Sequence, residues 1–128
     1  HLYRAAQLCV AFIMTLTLSG CDLFTDKSTN QVNQFIKEQN INKTQQDWRN
    51  NLSVPPVLEF SQDKTYLWQL NTSKGDMVIE LLPDVAPMHV SSTIYLTTLG
   101  FYDNTIFHRI IPGFMAQGGD PTGTGRGN

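Results

Sequence analysis

The chain has 128 residues, of which 41% are hydrophobic, and nine Lys and Arg residues against eleven Asp and Glu residues give a net charge of −2 at pH 7. This length suits one modest domain. No basic run is interleaved with aromatic residues, so a nucleic-acid-binding surface is not expected.

The first twenty residues have the pattern of an export signal. Arg4 supplies a positive charge, residues 8–18 form an uncharged and largely apolar run, and Ser19 and Gly20 are small. A charged start, a short apolar middle and a small-residue exit are typical of secretory signals. The alternative is a transmembrane helix, but that needs about 20 predominantly apolar residues and this run is shorter.

The residues around Cys21 resemble a bacterial lipobox, with Leu18, Ser19 and Gly20 before the thiol. By this resemblance, lipid would be attached to Cys21 and residues 1–20 would be removed. Several acyl chains, at roughly 0.8 kcal/mol for each buried CH₂, anchor a protein firmly to a bilayer. The resemblance predicts a lipoprotein of the cell envelope or periplasm, held to a bacterial membrane through Cys21. Cys9 lies in the removed segment, so no disulfide is expected.

Residues 22–53 are rich in Asn and Gln and poor in large apolar side chains. Two alternatives remain open for this segment. Val32, Phe35 and Ile36 have helical spacing after a cap at Ser28 or Thr29, which favours a short amphipathic helix. The composition equally favours a flexible polar tether. We assign residues 21–56 to the lipidated cysteine and its tether, and residues 57–128 to the folded domain.

The rest of the chain alternates hairpins with one helix. Pro87 suits a first helical turn and Gly100 suits a helix end. The predicted elements are strands at Tyr66–Asn71 and Met77–Leu82, a helix at Met88–Leu99, and strands at Thr105–Ile111 and Phe114–Gly118. This order predicts a mainly antiparallel β fold with a helix packed against it.

Arg109 is the candidate catalytic residue because it lies in the middle of an apolar strand. If side chains alternate along this strand, Phe107 and Ile111 lie on the same face as Arg109. The plainer alternative is an exposed arginine, or one paired with a carboxylate such as Asp103 or Asp120.

The returning strand supplies the partners for this arginine. Phe114 and Met115 are expected to form an apolar floor beside the guanidinium, with Gln117 on the same face as Met115. These candidate site residues include no Ser or Cys nucleophile with a neighbouring base. His108 and His89 do not have metal-ligand spacing with carboxylates. Neither a metal nor a cofactor is expected.

Such a site could hold a proline ring on the apolar floor and a peptide backbone through Gln117. Rotation about a peptide bond has a barrier of about 18–20 kcal/mol, set by amide resonance. When the bond twists, the nitrogen becomes pyramidal and its lone pair becomes a hydrogen-bond acceptor. A fixed N–H donor from Arg109 would bind this twisted state better than either planar state.

Two stretches resemble the cyclophilin-type peptidyl-prolyl cis-trans isomerases. FHRIIPGFMAQGGD (residues 107–120) is similar to the signature of this family, and GDMVIELLPDVAP (residues 75–87) resembles its first two strands and helix entry. The resemblance implies an eight-stranded antiparallel barrel capped by two helices. It implies that Arg109 is catalytic and that four residues bind substrate: His108, Phe114, Met115 and Gln117.

The resemblance also implies that further pocket residues lie beyond Asn128. We therefore expect residues 57–128 to be an incomplete, N-terminal part of the domain. We also expect the 128-residue chain to be inactive, and aggregation-prone or unfolded, when expressed alone. The expected partners are proline-containing peptides and unfolded or exported proteins, with the enzyme as a monomer. The alternative function is a catalytically silent module that only binds proline-containing segments, as a chaperone lipoprotein.

Overall fold

The computed structural model describes residues 25–127, so the signal segment and Cys21 lie outside the described residues. Its elements, in chain order, are α1 (Lys27–Gln39), a 3₁₀ helix (Trp48–Asn51), β1 (Tyr66–Thr72), β2 (Gly75–Leu81), α2 (Pro87–Leu99), β3 (Phe107–Ile111) and β4 (Met115–Gly118). Within this part of the chain, no helix has both the length and the apolarity needed to cross a membrane.

The strands form two separate antiparallel hairpins, β1 with β2 and β3 with β4. The expected antiparallel strands and helix are confirmed, but residues 25–127 form no closed barrel. Several apolar side chains on the hairpins stay largely exposed, such as Leu67 at 62%, Val78 at 62% and Ile110 at 66%. Because α1 and α2 have 13 residues each, the described part is mixed helix and sheet rather than mainly β.

The first hairpin follows the prediction to within two residues. Its register runs from Tyr66 opposite Leu81 to Thr72 opposite Gly75, which leaves a two-residue turn. Gly75 has φ 129°, a conformation that favours glycine. The Thr72 hydroxyl donates to the Gly75 carbonyl at 2.6 Å and closes the turn.

Helix α2 begins at Pro87 and ends before Gly100, as the sequence predicts. Gly100 has φ 76°, and its N–H donates to the Thr97 carbonyl at 2.9 Å. The N–H of Phe101 reaches back to the Leu96 carbonyl, also at 2.9 Å. This pair of bonds satisfies carbonyl groups that the end of a helix otherwise leaves without partners.

The polar segment before the first hairpin contains a packed helix. Helix α1 places Val32, which is 1% exposed, against Leu58, Tyr95 and Leu99 at 3%, 1% and 1%. The flexible-tether alternative is therefore wrong for residues 27–39, and the helical alternative is confirmed. Its cap is Asp26, two residues before Ser28 and three before Thr29, the residues we proposed. The Asp26 carboxylate accepts from the Ser28 N–H at 3.1 Å.

Hydrogen bonds join the segment that follows α1 to α2. The Leu58 N–H donates to the buried Ser91 hydroxyl at 2.9 Å. Lys43 Nζ donates to the carbonyl of Leu99 at 2.6 Å, where α2 ends. The core around α2 thus includes residues from both sides of the boundary that we placed between residues 56 and 57. The boundary itself stays a prediction.

Candidate functional site

The β3–β4 hairpin brings three of the predicted site residues to one face. In its register, Arg109 lies opposite Gln117 and Ile111 lies opposite Met115. Directly opposed residues in an antiparallel pair share a face, with Cβ atoms about 4.5–5.5 Å apart. A cation, an amide and a thioether therefore line one side of this hairpin.

The turn of the hairpin is longer than the sequence suggests. The N–H of Phe114 donates to the Ile111 carbonyl at 3.1 Å, and Gly113 has φ 73°. Phe114 therefore belongs to the turn, and β4 begins at Met115. The Phe114 side chain is 78% exposed, whereas Met115 is half-buried. The apolar floor expected of Phe114 and Met115 for a proline ring stays a prediction.

A β-bulge interrupts β3 at His108. Phe107 lies opposite Gly118 and Arg109 lies opposite Gln117, so His108 is the extra residue of the bulged strand. A bulge bends its strand and redirects side chains. The simple alternation that would place Phe107 on the face of Arg109 therefore does not extend across residue 108. The sequence carries no signal for this bulge.

The imidazole of His108 lies under the backbone of a later loop. Both ring nitrogens are buried, and neither has a hydrogen-bond partner among the described residues. Gly125, with φ 80°, covers the ring so closely that a Cβ there would lie 2.9 Å from Nε2. The expected place of His108 at the edge of the site stays a prediction, but its ring is not freely exposed.

Asp120 organises this later loop, whereas the sequence analysis considered it only as a partner for Arg109. Its carboxylate accepts from the backbone N–H groups of Thr122 and Gly125 at 2.8 and 2.7 Å. The bond from the Thr122 N–H, with further help from the loop, holds the pKa of Asp120 well below its usual range. An Asp two residues before a Thr in a glycine-rich stretch is the one signal that could have indicated such a turn.

Arg109 is exposed and is not tied to an acidic neighbour within residues 25–127. The ion pairs found there join Lys27 to Glu59 and Lys64 to Asp26. Asp120, one of the carboxylates that could have paired with Arg109, is occupied by its own loop. The guanidinium therefore keeps its N–H donors available on the face that Gln117 shares.

The arrangement can act through hydrogen bonds and apolar contact. In the described part of the chain, no three His, Cys, Asp or Glu side chains lie close enough together to hold a metal ion. A permanently charged fork beside an amide suits the binding of a neutral peptide group. These features make this face of the hairpin a candidate site for binding a peptide without a covalent step.

Comparison with known proteins gives the family of this part of the chain. Residues 67–128 match the family model of the cyclophilin type peptidyl-prolyl cis-trans isomerases. The chain is 59% identical over 58 residues to peptidyl-prolyl isomerase cwc27 of Rhizopus delemar. It is 57% identical to peptidyl-prolyl cis-trans isomerase-like 1 of Gibberella zeae and 53% identical to peptidyl-prolyl cis-trans isomerase CYP57 of Arabidopsis thaliana, each over 58 residues. We refer to residues 67–128, which match this family model, as the cyclophilin-type segment.

These relatives are matched only in part. The alignments cover 45% of this chain and 11%, 36% and 12% of the relatives from Rhizopus, Gibberella and Arabidopsis, respectively. No solved structure matches the chain. The family match begins inside β1 and includes α2. Helix α1, which packs against α2, precedes the matched residues.

Proposed function

We propose that the protein is a peptidyl-prolyl cis-trans isomerase that catalyses rotation about X–Pro peptide bonds and so assists protein folding. The observation that carries this proposal is the placement of Arg109 opposite Gln117 on the β3–β4 hairpin of a cyclophilin-type segment. The relatives named above are peptidyl-prolyl isomerases by name, which supports the same reaction class.

The reaction needs no covalent step. In the planar imide the nitrogen lone pair is delocalised, and it becomes localised only when the C–N bond twists. An N–H of Arg109 directed at that nitrogen would stabilise the twisted state and not the planar ones, which lowers the barrier. Arginine suits this role because it stays protonated and holds its donors in a rigid plane.

The neighbouring side chains would position the substrate. Gln117, directly across from Arg109, has both a donor and an acceptor for the peptide backbone flanking the proline. Met115, on the same face, offers an adaptable apolar surface for the proline ring. Phe114 is exposed at the turn and could close over the ring from that side, with His108 at the edge of the site.

The test is cis/trans exchange of a peptide with one X–Pro bond, measured by NMR exchange spectroscopy with the full-length protein. We expect acceleration by the wild type and a loss of about 100-fold in kcat for Arg109→Lys, the scale on which a single aimed donor contributes. Lys keeps the charge but not the planar fork. Arg109→Ala and Lys74→Ala form a matched pair, since each removes one positive charge and only the first lies on this face.

The rival function, a silent binding module, gives a different result in the same experiment. Such a protein would bind the peptide without accelerating exchange, and Arg109→Lys would leave that affinity unchanged. Wild-type acceleration with no loss in Arg109→Lys would contradict the role of Arg109 while keeping the enzyme.

We further propose that the protein is a lipoprotein of the bacterial cell envelope, anchored through Cys21, where it acts as a monomer on proline-containing segments of unfolded or exported proteins. The charged Arg4, the apolar run at residues 8–18 and the small residues before Cys21 support this location. Cells fed a labelled fatty acid should label the wild type and not Cys21→Ser. Label on both would contradict the anchor.

A further inference from the structure

The loop after β4 is built around a single carboxylate. Besides the bonds from Thr122 and Gly125, the Asp120 carboxylate accepts from the N–H of Gly127 at 3.4 Å. The Thr122 hydroxyl lies 2.8 Å from both carboxylate oxygens and 2.8 Å from the Thr124 hydroxyl. One side chain thus gathers backbone groups from Thr122 to Gly127.

The same loop lies on the beginning of β3. A Cβ added at Gly123 would be 3.2 Å from Ile106 Cδ1, and one at Gly125 would be 2.9 Å from His108 Nε2 and 3.0 Å from its Cδ2. These contacts leave no room for a side chain at Gly125 unless the imidazole moves. The loop backbone is therefore in direct contact with the ring of His108.

The backbone of this loop packs on the imidazole of His108 and limits its movement. Neither ring nitrogen of His108 has a hydrogen-bond partner among the described residues, so no directed bond there sets the rotation of the ring. His108 is also the extra residue of the bulge, immediately before Arg109. Bulges redirect the side chains of their strand, so a shift of His108 would change the direction of Arg109.

We propose that Asp120 is a positioning residue of the isomerase, which holds the loop of residues 120–127 against His108 and thereby fixes the bulge that directs Arg109. This inference rests on the proposed function. It assigns Asp120 no contact with the substrate. Because the pKa of Asp120 lies well below its usual range, the carboxylate stays ionised and keeps its bonds to the loop across the neutral pH range.

A positioning role differs from plain stabilisation of the fold in what it changes. Loss of stability lowers the folded fraction and leaves each folded molecule as active as before. Loss of positioning lowers the kcat of the folded molecules, because a displacement of about 1 Å can cost on the order of 100-fold in rate. Binding of the peptide, which depends on other residues of the face, would change less.

The experiment is a double-mutant cycle on the full-length protein, with NMR exchange rates expressed per folded molecule. We expect Asp120→Asn to lower kcat at least 10-fold with little change in peptide Kd, and Asp120→Glu to restore part of the loss. In the Arg109→Lys background, Asp120→Asn should have almost no further effect, since a group that acts through Arg109 is non-additive with it. Asp76→Asn, which removes an exposed carboxylate on the first hairpin, is the control.

A second measurement does not depend on activity. The ring resonances of His108 should shift in Asp120→Asn and in Gly125→Ala, and not in Asp76→Asn. Unchanged His108 resonances, or additive losses in the cycle, would overturn the positioning role. If the wild type gives no acceleration, the proposed function fails, and the His108 resonances still decide whether Asp120 sets the position of that ring.

Discussion

Tyr95 is buried in the core between α1 and α2, and its hydroxyl makes no hydrogen bond among the described residues. It is 1% exposed and packs edge-on against Phe35, with ring centroids 5.4 Å apart. The same burial raises the pKa of Tyr95. The ring stabilises the core between α1 and α2, whereas the hydroxyl opposes it.

Replacing Tyr95 by Phe should therefore stabilise the protein. A buried polar group without a partner costs about 1–3 kcal/mol, and Tyr95→Phe removes it while keeping the ring. We expect the free energy of unfolding, measured by urea denaturation, to rise by about 1 kcal/mol. Tyr66→Phe is the matched control, because the Tyr66 hydroxyl donates to Asp26 at 3.1 Å and accepts from the Ser61 N–H at 2.9 Å. Its unfolding free energy should fall, and a fall for both variants would contradict the argument.

The residues of the site were predictable from the sequence to different degrees. The shared face of Met115 and Gln117 follows from the period of a strand, and the register places Arg109 across from Gln117. The bulge at His108 was not predictable, because no local pattern marks the residue at which the register shifts. The residue that covers its ring, Gly125, is distant in the chain. Alternation of side chains between the two faces holds only along a regularly paired strand, and a bulge interrupts it.

Asp26 connects two elements through one carboxylate. It caps α1 through the Ser28 N–H, accepts from the Ser61 and Tyr66 hydroxyls at 3.1 Å each, and lies 3.3 Å from Lys64 Nζ. Burial by itself raises the pKa of Asp26, but these hydrogen bonds outweigh it and hold the pKa well below its usual range. The Asp26 carboxylate thus joins the first turn of α1 to the first residue of β1.

This carboxylate should make stability dependent on pH in the acid range. Because the pKa of Asp26 is lower in the folded state than in the unfolded chain, its contribution is complete above the ordinary Asp value of 3.8 and is lost as the pH falls below that. We expect the unfolding free energy to drop less between about pH 6 and about pH 3 in Asp26→Asn than in the wild type. Asp63→Asn, at an exposed position, should follow the wild type. An equal drop in all three proteins would contradict the role of Asp26.

At the scale of elements, the strands were easier to predict than α1. Alternating side chains, Pro87 and Gly100 fix β1, β2 and α2 to within about two residues because the signals are local. Helix α1 has few apolar residues, and its composition matches that of a solvated spacer. Contact with α2, at Val32 above all, determines that it packs as a helix, and that contact joins distant parts of the chain.

At the scale of the whole molecule, the cyclophilin-type segment shares its core with residues that precede the family match. Arg49 reinforces this arrangement, since its Nε donates to the Phe101 carbonyl at 3.0 Å and its guanidinium lies 4.7 Å from the Trp48 ring centroid. Residues 25–60 therefore cover the buried side of α2 and reach the loop that follows it.

Hydrogen exchange on the full-length protein can separate a packed extension from a spacer. If α1 is part of the core, its amides and those of α2 should be protected together, since both open only when the cluster that includes Val32 and Leu99 breaks. Deleting residues 25–53 should then speed exchange in α2, by exposing Tyr95 and Leu99, and change the β3–β4 hairpin less. A spacer would exchange rapidly throughout residues 27–39, and its deletion would leave α2 protected. That result would return this segment to the role of a simple tether and place the whole stability of α2 within the cyclophilin-type segment.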